Sequence, residues 1–596
     1  MILHNVSATE HVASTPIAVP TEDTVRVETS AGSVRGLWRE IISHPERSGP
    51  APRFARSAAF YAIPYAEEPT GQRRFMAPVR RAPWQAEREA FLPGATPQRG
   101  SIFADPDIPE PSVPGEDVLT LNVFTPAPGD EEARLPVFVW IHGGGWTSGS
   151  HNSPWYDGAA FNRDGVVTVS VAYRLGFDGY GYVEGSDAPF NRGVLDQVMA
   201  LEWVRDNIAR FGGDPQRVTI GGQSAGGGNS MILMTVPRAR GLFRAVISQS
   251  GAVTDMPAEL NRDRARAMAA ALGVEPTLEG LRAVSYDEVF AAQNALTAQG
   301  EQADDGGAAQ GERADDGGAS QGEQADDGGA TQGEQSDDGG ATQAGPDPVA
   351  AVAARLAAVG KPDTGISFSP TVDGEIIPAP LVQALREGRG AGVAVLAGST
   401  THDFAFAGFA FAEAMAGRDV RAVLVEGGLD EGLADRLLAA HPEHAGAGHL
   451  ILGDLISDTI FHCQLASWFL ARGEQAASGG RAGEPADRVG AAGSWAYEFS
   501  YTGGRMGMAG HCMDVPFSFD CLLEPYCEGH TLPGRAPQAL ADAMHSVWVR
   551  FIETGECSWE QWPARSVGRR FGDNRSGALV VVEDRVIFDT DRDLVL

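Results

Sequence analysis

The amino-acid sequence predicts an α/β fold with a large, mainly parallel central sheet flanked by helices. Short apolar runs rich in β-branched residues are typical of buried strands. Segments with apolar residues at helical spacing alternate with these runs, and that order indicates parallel strands joined through helices. The chain has 596 residues, 43% of them hydrophobic, which is enough for one large core with insertions.

The elements follow one another from the N-terminal side. Residues 25–29 and 32–36 alternate between apolar and polar side chains and predict a hairpin. The helical spacing at 193–208 predicts a helix that crosses between two strands. Further strands are predicted at 119–124, 137–141, 166–172, 217–220, 245–250 and 394–397.

The chain divides into a folded domain, a terminal arm and one biased insertion. We expect residues 1–22 to form a mobile arm, and residues 23–297 and 346–596 to form a single domain with helical insertions. Residues 298–345 contain four copies of an eleven-residue acidic unit without an aromatic residue or any aliphatic residue larger than alanine. Such a segment cannot build a core, so we expect disorder. Weak calcium binding or a docking tail is the alternative.

The net charge and the cysteine positions limit which binding partners and which cellular compartment the sequence is compatible with. The formal charge of −33 argues against nucleic acid and anionic membrane surfaces. The sequence shows no signal peptide and no stretch of about twenty apolar residues. Five cysteines in the C-terminal quarter match neither a disulfide framework nor zinc-ligand spacing. We therefore expect a cytoplasmic protein, and the near-exclusive use of arginine as the basic residue indicates a bacterial one.

Two glycine-rich turns carry the clearest chemical signal. In the second of them, Ser224 lies between Gly222 and Gly226, directly after a predicted strand. That G-x-S-x-G spacing is typical of a nucleophile elbow, where a side chain beside the serine would collide with the neighbouring backbone. Ser320 has the same spacing, but it lies in the acidic repeat with no strand before it. Ser224 is therefore the predicted nucleophile.

The first turn, His142-Gly-Gly-Gly-Trp146, also follows a predicted strand. Amides without side chains can direct their N–H groups at a developing oxyanion. The two turns together predict a serine hydrolase.

A serine nucleophile needs a base, and the base needs an orienting acid. In α/β-hydrolases the order along the chain is serine, then the acid, then the base. His511 follows a glycine and precedes an aromatic segment, as expected for a loop over a pocket. His441, His444 and His449 are the competing bases, and their clustering is the alternative argument for a metal site. No carboxylate or cysteine pattern partners them in the sequence, so no metal is predicted.

The acid is predicted at Asp403, in a loop after the strand at 394–397. His402 beside it is interpreted as a surface residue. Asp454 and Asp458 are the alternatives, although their segment has the pattern of a helix.

At this point the chain resembles the type-B carboxylesterases, which include bacterial para-nitrobenzyl esterases, liver carboxylesterases and cholinesterases. The resemblance rests on stretches in the family's order over about 24–297 and 346–565. They are residues 62–66, 116–123, 142–146, 172–176, 195–197, 211–215, 222–227, 249–251 and the segment around His511. It implies the α/β-hydrolase fold and ester hydrolysis with water and no cofactor, on small to medium acyl or aryl esters.

The resemblance also implies individual roles. Ser224 would attack the ester carbonyl, His511 would take its proton, and Asp403 would orient His511. The amides of Gly144, Gly145 and Ala225 would form the oxyanion hole. Trp146, Phe404 and Phe406 could line the substrate pocket or belong to the ordinary core, whereas Trp155 and Tyr156 are interpreted as structural.

The sequence departs from the family in its acid, which is usually glutamate and here is the shorter Asp403. A carbamate or amide hydrolase on the same triad is one alternative function. A non-catalytic binding module is another, although such a module would have no reason to keep a strained elbow.

Overall fold

The computed structural model describes most of the chain. The described residues are 18–97, 100–101, 105–306, 347–358, 368–477, 492–534, 536–562, 567–573 and 579–586. The predicted arm therefore lies largely outside the described residues, as does most of the acidic repeat.

Within the described residues the fold is organised around a 13-stranded sheet. Its strand order is β1-β2-β3-β5-β7-β6-β8-β9-β12-β13-β14-β15, β4 pairs with β2, and β10 and β11 form a separate ribbon. The strands are β1 (Ala18–Glu28), β2 (Ser33–Ile41), β3 (Arg56–Pro64), β4 (Arg88–Glu89), β5 (Thr120–Thr125), β6 (Leu135–Ile141), β7 (Val167–Val171), β8 (Gly213–Gln223), β9 (Ala245–Gln249), β10 (Met256–Pro257), β11 (Thr371–Val372), β12 (Ala394–Thr400), β13 (Ser494–Phe499), β14 (Val567–Asp573) and β15 (Leu579–Val586).

The centre of the sheet is parallel and its edges are antiparallel. Strands β7, β6, β8, β9, β12, β13 and β14 pair in parallel along the sheet. Strands β1, β2, β3 and β5 extend it antiparallel on one side, and β15 does so on the other. The predicted fold class, an α/β fold on a mainly parallel sheet, is confirmed.

Helices connect these strands and cover both faces of the sheet. They are α1 (Ala159–Arg163), α2 (Gly176–Tyr180), α3 (Arg192–Asn207), α4 (Ala225–Leu233), α5 (Ala258–Leu272), α6 (Leu278–Arg282), α7 (Tyr286–Gly306), α8 (Pro348–Ala358), α9 (Leu381–Arg386), α10 (Val420–Glu426), α11 (Glu431–Ala440), α12 (Gly448–Ser457), α13 (Cys463–Ala477), α14 (Val515–Ser518) and α15 (Gln538–Thr554). A π-helical turn, Asp458–His462, joins α12 to α13.

The alternation of side chains along β6 shows why the strand is apolar throughout. Val137 and Val139 pack into the core on one face of the sheet, and Phe138 and Trp140 pack into the core on the other. All four side chains are fully buried. A parallel strand between two helical layers has no solvent-facing side, so the usual polar alternation is absent.

The carboxyl ends of the central parallel strands lie along one edge of the sheet. The turn at residues 142–146, called the glycine loop below, follows β6. Ser224 follows β8, and Asp403 comes just after β12. The segment that contains His511 follows β13, the neighbour of β12. Ligands bind at this edge in open α/β sheets because the loops there converge.

Two predicted boundaries differ from the structure. Strand β1 begins at Ala18, and residues 18–20 pair with β2 instead of belonging to an arm. Helix α7 continues past residue 297 to Gly306, into the first copy of the acidic repeat. Alanine, glutamine and glutamate at the start of that copy are good helix formers, so a helix that begins in the core can extend into it.

Candidate active site

The turn after β8 places Ser224 at the start of helix α4 in a strained backbone conformation. Its φ is 56° and its ψ is −128°, a region that non-glycine residues rarely adopt. A Cβ on Gly222 would stand 2.4 Å from the carbonyl oxygen of Ile141, and one on Gly226 would stand 2.0 Å from that oxygen. The glycines are therefore required because β6 passes directly beside the turn.

His511 and Asp403 form a close pair, although they are far apart in sequence. The Nδ1 of His511 is 2.6 Å from Oδ1 of Asp403, and both side chains are buried. The backbone N–H of His511 also donates to the carbonyl of Asp403 at 3.0 Å. The loop after β12 and the segment after β13 are thus joined by backbone as well as side-chain bonds. The carboxylate is an acceptor, so Nδ1 carries the proton.

The other ring nitrogen of His511 faces the elbow. Its Nε2 is 2.9 Å from the side-chain Nε2 of Gln223, the residue before Ser224. An amide nitrogen only donates, so Nε2 of His511 holds a lone pair. Among the described residues no hydrogen bond joins Ser224 to His511, because Gln223 occupies that position. Sequence reasoning missed this contact, which spans 288 positions of the chain.

The glycine loop after β6 presents amides with no side chains in the way. Gly144 has φ 104° and Gly145 has φ 59°, both in the left-handed region that favours glycine. Within the described part of the chain, the N–H groups of Gly144, Gly145 and Ala225 donate to no other residue. Ala225 is also the first residue of α4, where a helix leaves its N–H groups unpaired.

His142 holds the glycine loop through one hydrogen bond and one ring contact. Its Nδ1 donates to the carbonyl of Gly143 at 2.8 Å, and its ring stacks on Tyr173 with 4.6 Å between the centroids. Burial lowers the pKa of His142 to about 4, so this ring is neutral near pH 7. It acts on the loop as a hydrogen-bond donor without adding charge.

A cavity of about 740 Å³ joins these groups. Ser224, His511, Gln223 and the glycine loop all line it. The three residues predicted for the pocket, Trp146, Phe404 and Phe406, line it as well. Tyr156, which the sequence analysis interprets as structural, lines the cavity too. No sequence pattern singled out the further apolar side chains in the lining, among them Phe290, Phe461 and Met506.

One wall of the cavity is acidic. Glu110 lines it, and burial raises the pKa of this carboxyl group to about 7 despite bonds from Ser101, Gly149 and Ser148. Burial also raises the pKa of Asp107 above its usual range, although Arg505 counteracts the shift. The Nε of Arg505 is 3.0 Å from Asp107 Oδ1, so that carboxylate is paired.

Behind Asp403 lies a buried group of ionisable side chains, the histidine cluster, and His402 belongs to it. The prediction that His402 is a surface residue is wrong, because the turn after α11 packs against its ring: the centroid of the His444 ring lies 4.8 Å away, and Glu443 bonds its Nε2. The other members come from the turn after α11, from α12 and from the π-helical turn that follows α12. They are His441, Glu443, His444, Asp454, Asp458 and His462.

The cluster contains two sets of atoms that a metal ion could use. One set is His402, Glu443 and His444, and the other is His402, His441 and Asp454, each with ligand-type atoms within 4.8 Å of one another. Both sets require His402, whose Nδ1 accepts a hydrogen bond from the N–H of Ala509 at 3.2 Å. Its proton therefore lies on Nε2, which faces Glu443 Oε1 at 3.0 Å. A metal ion bound through this nitrogen would have to displace that proton.

Hydrogen bonds and ion pairs join the members of the cluster to one another. Asp454, Asp458 and Glu443 raise the pKa of His441 well above its ordinary value, against the opposing effect of burial. His441 in turn keeps the pKa of Asp458 below its usual range. His441 is thus a buried imidazolium among carboxylates.

None of the described helices is both long and apolar enough to cross a lipid bilayer.

Comparison with known proteins finds one family. A model of the carboxylesterase family matches residues 23–308, a range that includes Ser224 and the glycine loop but ends before Asp403. The precursor of a medium-chain fatty acyl-CoA hydrolase from Anas platyrhynchos is 40% identical over 259 residues, which are 42% of this chain and 44% of that protein. The para-nitrobenzyl esterase of Bacillus subtilis (strain 168) is 39% identical over 238 residues, 39% of this chain and 48% of that protein.

The matched sequence thus spans less than half the length of these curated relatives. Solved structures match over more of the chain. A crystal structure of a carboxylesterase from Geobacillus stearothermophilus, determined at pH 6.2, superposes with a TM-score of 0.68 and 25% identity. That superposition covers 96% of this chain and 100% of the other.

Proposed function

Because the chain belongs to the carboxylesterase family, we propose that it hydrolyses carboxylic esters through an acyl-enzyme formed on Ser224. The observation that carries this proposal is the state of His511. Its Nδ1 proton is held by Asp403 at 2.6 Å, and its Nε2 lone pair faces the elbow. That tautomer is the one a general base needs.

The reaction begins when the substrate carbonyl enters the cavity beside Ser224. The Gln223 amide gives up its bond to His511, and Nε2 then accepts the proton of the Ser224 hydroxyl. Oγ attacks the carbonyl carbon, and the imidazolium that forms is stabilised by Asp403. This step follows the general rule that a serine at its free pKa needs an adjacent base.

The negative charge that develops on the carbonyl oxygen would be held by the N–H groups of Gly144, Gly145 and Ala225. These amides are free of other partners in the described chain, so they need no rearrangement when the charge develops. One such donor contributes about 3 kcal/mol to transition-state binding. His511 then protonates the leaving alcohol, and a water activated by the same histidine releases the acid.

The substrate we propose is a small to medium acyl or aryl ester. The cavity of about 740 Å³ is lined mainly by aromatic and aliphatic side chains, and such pockets bind apolar groups by burial. The chemistry consumes only the ester and water, so no cofactor is part of the proposal.

A series of p-nitrophenyl esters of increasing acyl length tests the proposal. We expect short and medium chains to be hydrolysed best, with rates that fall for long chains such as palmitoyl. Ser224→Ala should lose about 10⁴-fold or more in kcat. Ser467→Ala, a helical serine that donates to the carbonyl of Cys463, is the matched control and should retain full activity. Undiminished hydrolysis by Ser224→Ala would contradict the mechanism.

A further inference from the structure

The second oxygen of the Asp403 carboxylate has an unusual environment. Oδ1 binds His511, but Oδ2 is completely buried and accepts no hydrogen bond from any described residue. The Nε2 atom of His462 lies 3.8 Å from Oδ2. A buried carboxylate oxygen without a donor is costly unless a positive charge lies close to it.

The contacts of His462 define its protonation state. Its Nε2 donates to the carbonyl oxygen of Thr400 at 3.0 Å. Its Nδ1 lies 2.8 Å from Oδ1 of Asp458. This contact is an ion-pair contact, because Oδ1 of Asp458 accepts no hydrogen bond from the described residues. His441 and His462 hold the pKa of Asp458 below its usual range, so the Asp458 carboxylate is charged. A charged carboxylate at this distance favours the imidazolium form of His462.

The π-helical turn Asp458–His462 places this charge beside the active site. Asp458 and His462 are its first and last residues and contact each other across the turn. Phe461 of the same turn packs on the His511 ring, with 4.8 Å between the centroids. Ser457, just before the turn, accepts the backbone N–H of Phe404 at 2.6 Å. Such π turns are rare, and they occur frequently at functional sites.

We propose that His462 is a positioning residue of the active site, whose fixed positive charge holds the Asp403 carboxylate in place with Oδ1 turned to His511. Asp458 and Thr400 anchor the imidazolium, and His441 anchors Asp458 through a contact of 3.2 Å. The inference rests on the proposed function, because it assigns His462 to the same triad.

The other ionisable groups around Asp403 determine in which direction the pH–rate profile shifts when the His462 charge is removed. They are His511, which is the proton acceptor, and Asp514, Tyr497 and Cys512, on which Asp403 acts electrostatically. Burial raises the pKa of Asp514 to about 6, and the charge of Asp403 adds to that shift. Without the His462 charge, protonation of the Asp403–His511 pair becomes easier. The acidic limb of the pH profile then moves to higher pH.

The test is the pH dependence of kcat/KM for His462→Gln, measured with a p-nitrophenyl ester on the full chain. We expect the acidic limb to move up by about one pH unit, because an opposite charge at this distance has been removed. At the plateau we expect kcat to fall about 10-fold through loss of alignment, while KM changes little. The rate of fluorophosphonate labelling should follow the same shifted profile.

The matched control is His444→Gln. His444 belongs to the same buried cluster but bonds Asp454 at 2.6 Å instead of facing Asp403, so its variant should keep the wild-type acidic limb. If His462→Gln does not fold, Asp458→Asn removes the anchor of the imidazolium and should give the same shift.

Two outcomes would overturn the inference alone, given a wild type whose hydrolysis depends on Ser224. One is an acidic limb that does not move in His462→Gln, and the other is an equal shift in His444→Gln. A wild type that shows neither hydrolysis nor labelling would overturn the proposed function, and this inference with it.

Discussion

At the scale of single residues, the site depends on which atoms carry protons. The donor amide of Gln223 at Nε2 and the acceptor carboxylate of Asp403 at Nδ1 together select one tautomer of His511. The side chain of Asp403 reaches His511 at 2.6 Å, and the N–H of His511 donates to the carbonyl of Asp403. The two segments are thus held together by their backbones as well as by the side-chain pair.

The buried carboxyl group of Glu110 makes the stability of the folded chain depend on pH. Its pKa of about 7 in the folded chain lies above the 4.5 of an exposed glutamate. The folded state therefore binds a proton between these values that the unfolded state has released. Stability is penalised above pH 7, and the penalty disappears as the pH falls towards 4.5.

We therefore expect Glu110→Gln to be more stable than the wild type above pH 7, by up to about 3 kcal/mol, since one pKa unit corresponds to about 1.4 kcal/mol. Urea unfolding at pH 8 and pH 4.5 measures the difference. The advantage of the variant should decrease towards zero at the lower pH. If the variant exceeds the wild type in free energy of unfolding by the same amount at both pH values, the raised pKa of Glu110 is contradicted.

At the scale of elements, the site depends on how closely β6, β8 and α4 approach one another. Gly222 is the register partner of Ile141, so the glycine loop leaves β6 directly beside the elbow. Helix α4 begins at Ala225 and presses its first turn against the end of β6. The amides that we propose as oxyanion donors and Ser224, the proposed nucleophile, thus meet at one junction.

Substitution of Gly226 by alanine tests this junction. The new Cβ would lie 2.0 Å from the carbonyl oxygen of Ile141 and 2.6 Å from that of His142. Backbone atoms cannot move aside as a side chain can, so we expect a loss of about 3 kcal/mol or more in the free energy of unfolding. The kcat of any folded fraction should also fall.

Gly392→Ala is the control for Gly226→Ala, because a Cβ there meets no atom within 4 Å. Thermal unfolding of the two variants gives the comparison. A Gly226→Ala protein as stable and as active as Gly392→Ala would show that α4 does not pack against β6 as described.

The sequence predicted those parts of the site that are formed by residues close together in the chain. The strand before Ser224, the glycines around it and the glycine loop are contiguous patterns, because each reflects a single strand and its turn. The contact of Gln223 with His511 and the burial of His402 depend on packing between segments far apart in the chain. No period or spacing in one sequence encodes such contacts. The same holds for Glu110 and Phe290 in the cavity wall.

At the scale of the whole molecule, the sheet brings three distant segments together. Ser224, Asp403 and His511 follow strands β8, β12 and β13, with β9 between β8 and β12. Their loops leave the same edge because these strands are all parallel. The acidic repeat lies in the chain between Ser224 and Asp403, yet from its composition we expect it to add nothing to the core.

Removal of residues 312–333, which are two complete repeat units, tests this expectation. For a segment without a core, halving the length changes the loop-closure free energy by only about 0.6 kcal/mol, so we expect the melting temperature and kcat hardly to change. Replacement of the same residues by a Gly/Ser linker of equal length is the control. A clear loss of activity, or stabilisation of the intact chain by calcium that the shortened chain lacks, would assign the repeat a function.

The central claim is that Ser224, activated by His511 and Asp403, is the nucleophile. Covalent labelling of the full chain with a fluorophosphonate, followed by peptide mass mapping, tests it most directly. We expect one adduct per chain, located on Ser224, and a labelling rate reduced by about 10⁴-fold in Asp403→Asn. An adduct on another residue, or an undiminished rate in Asp403→Asn, would contradict the claim.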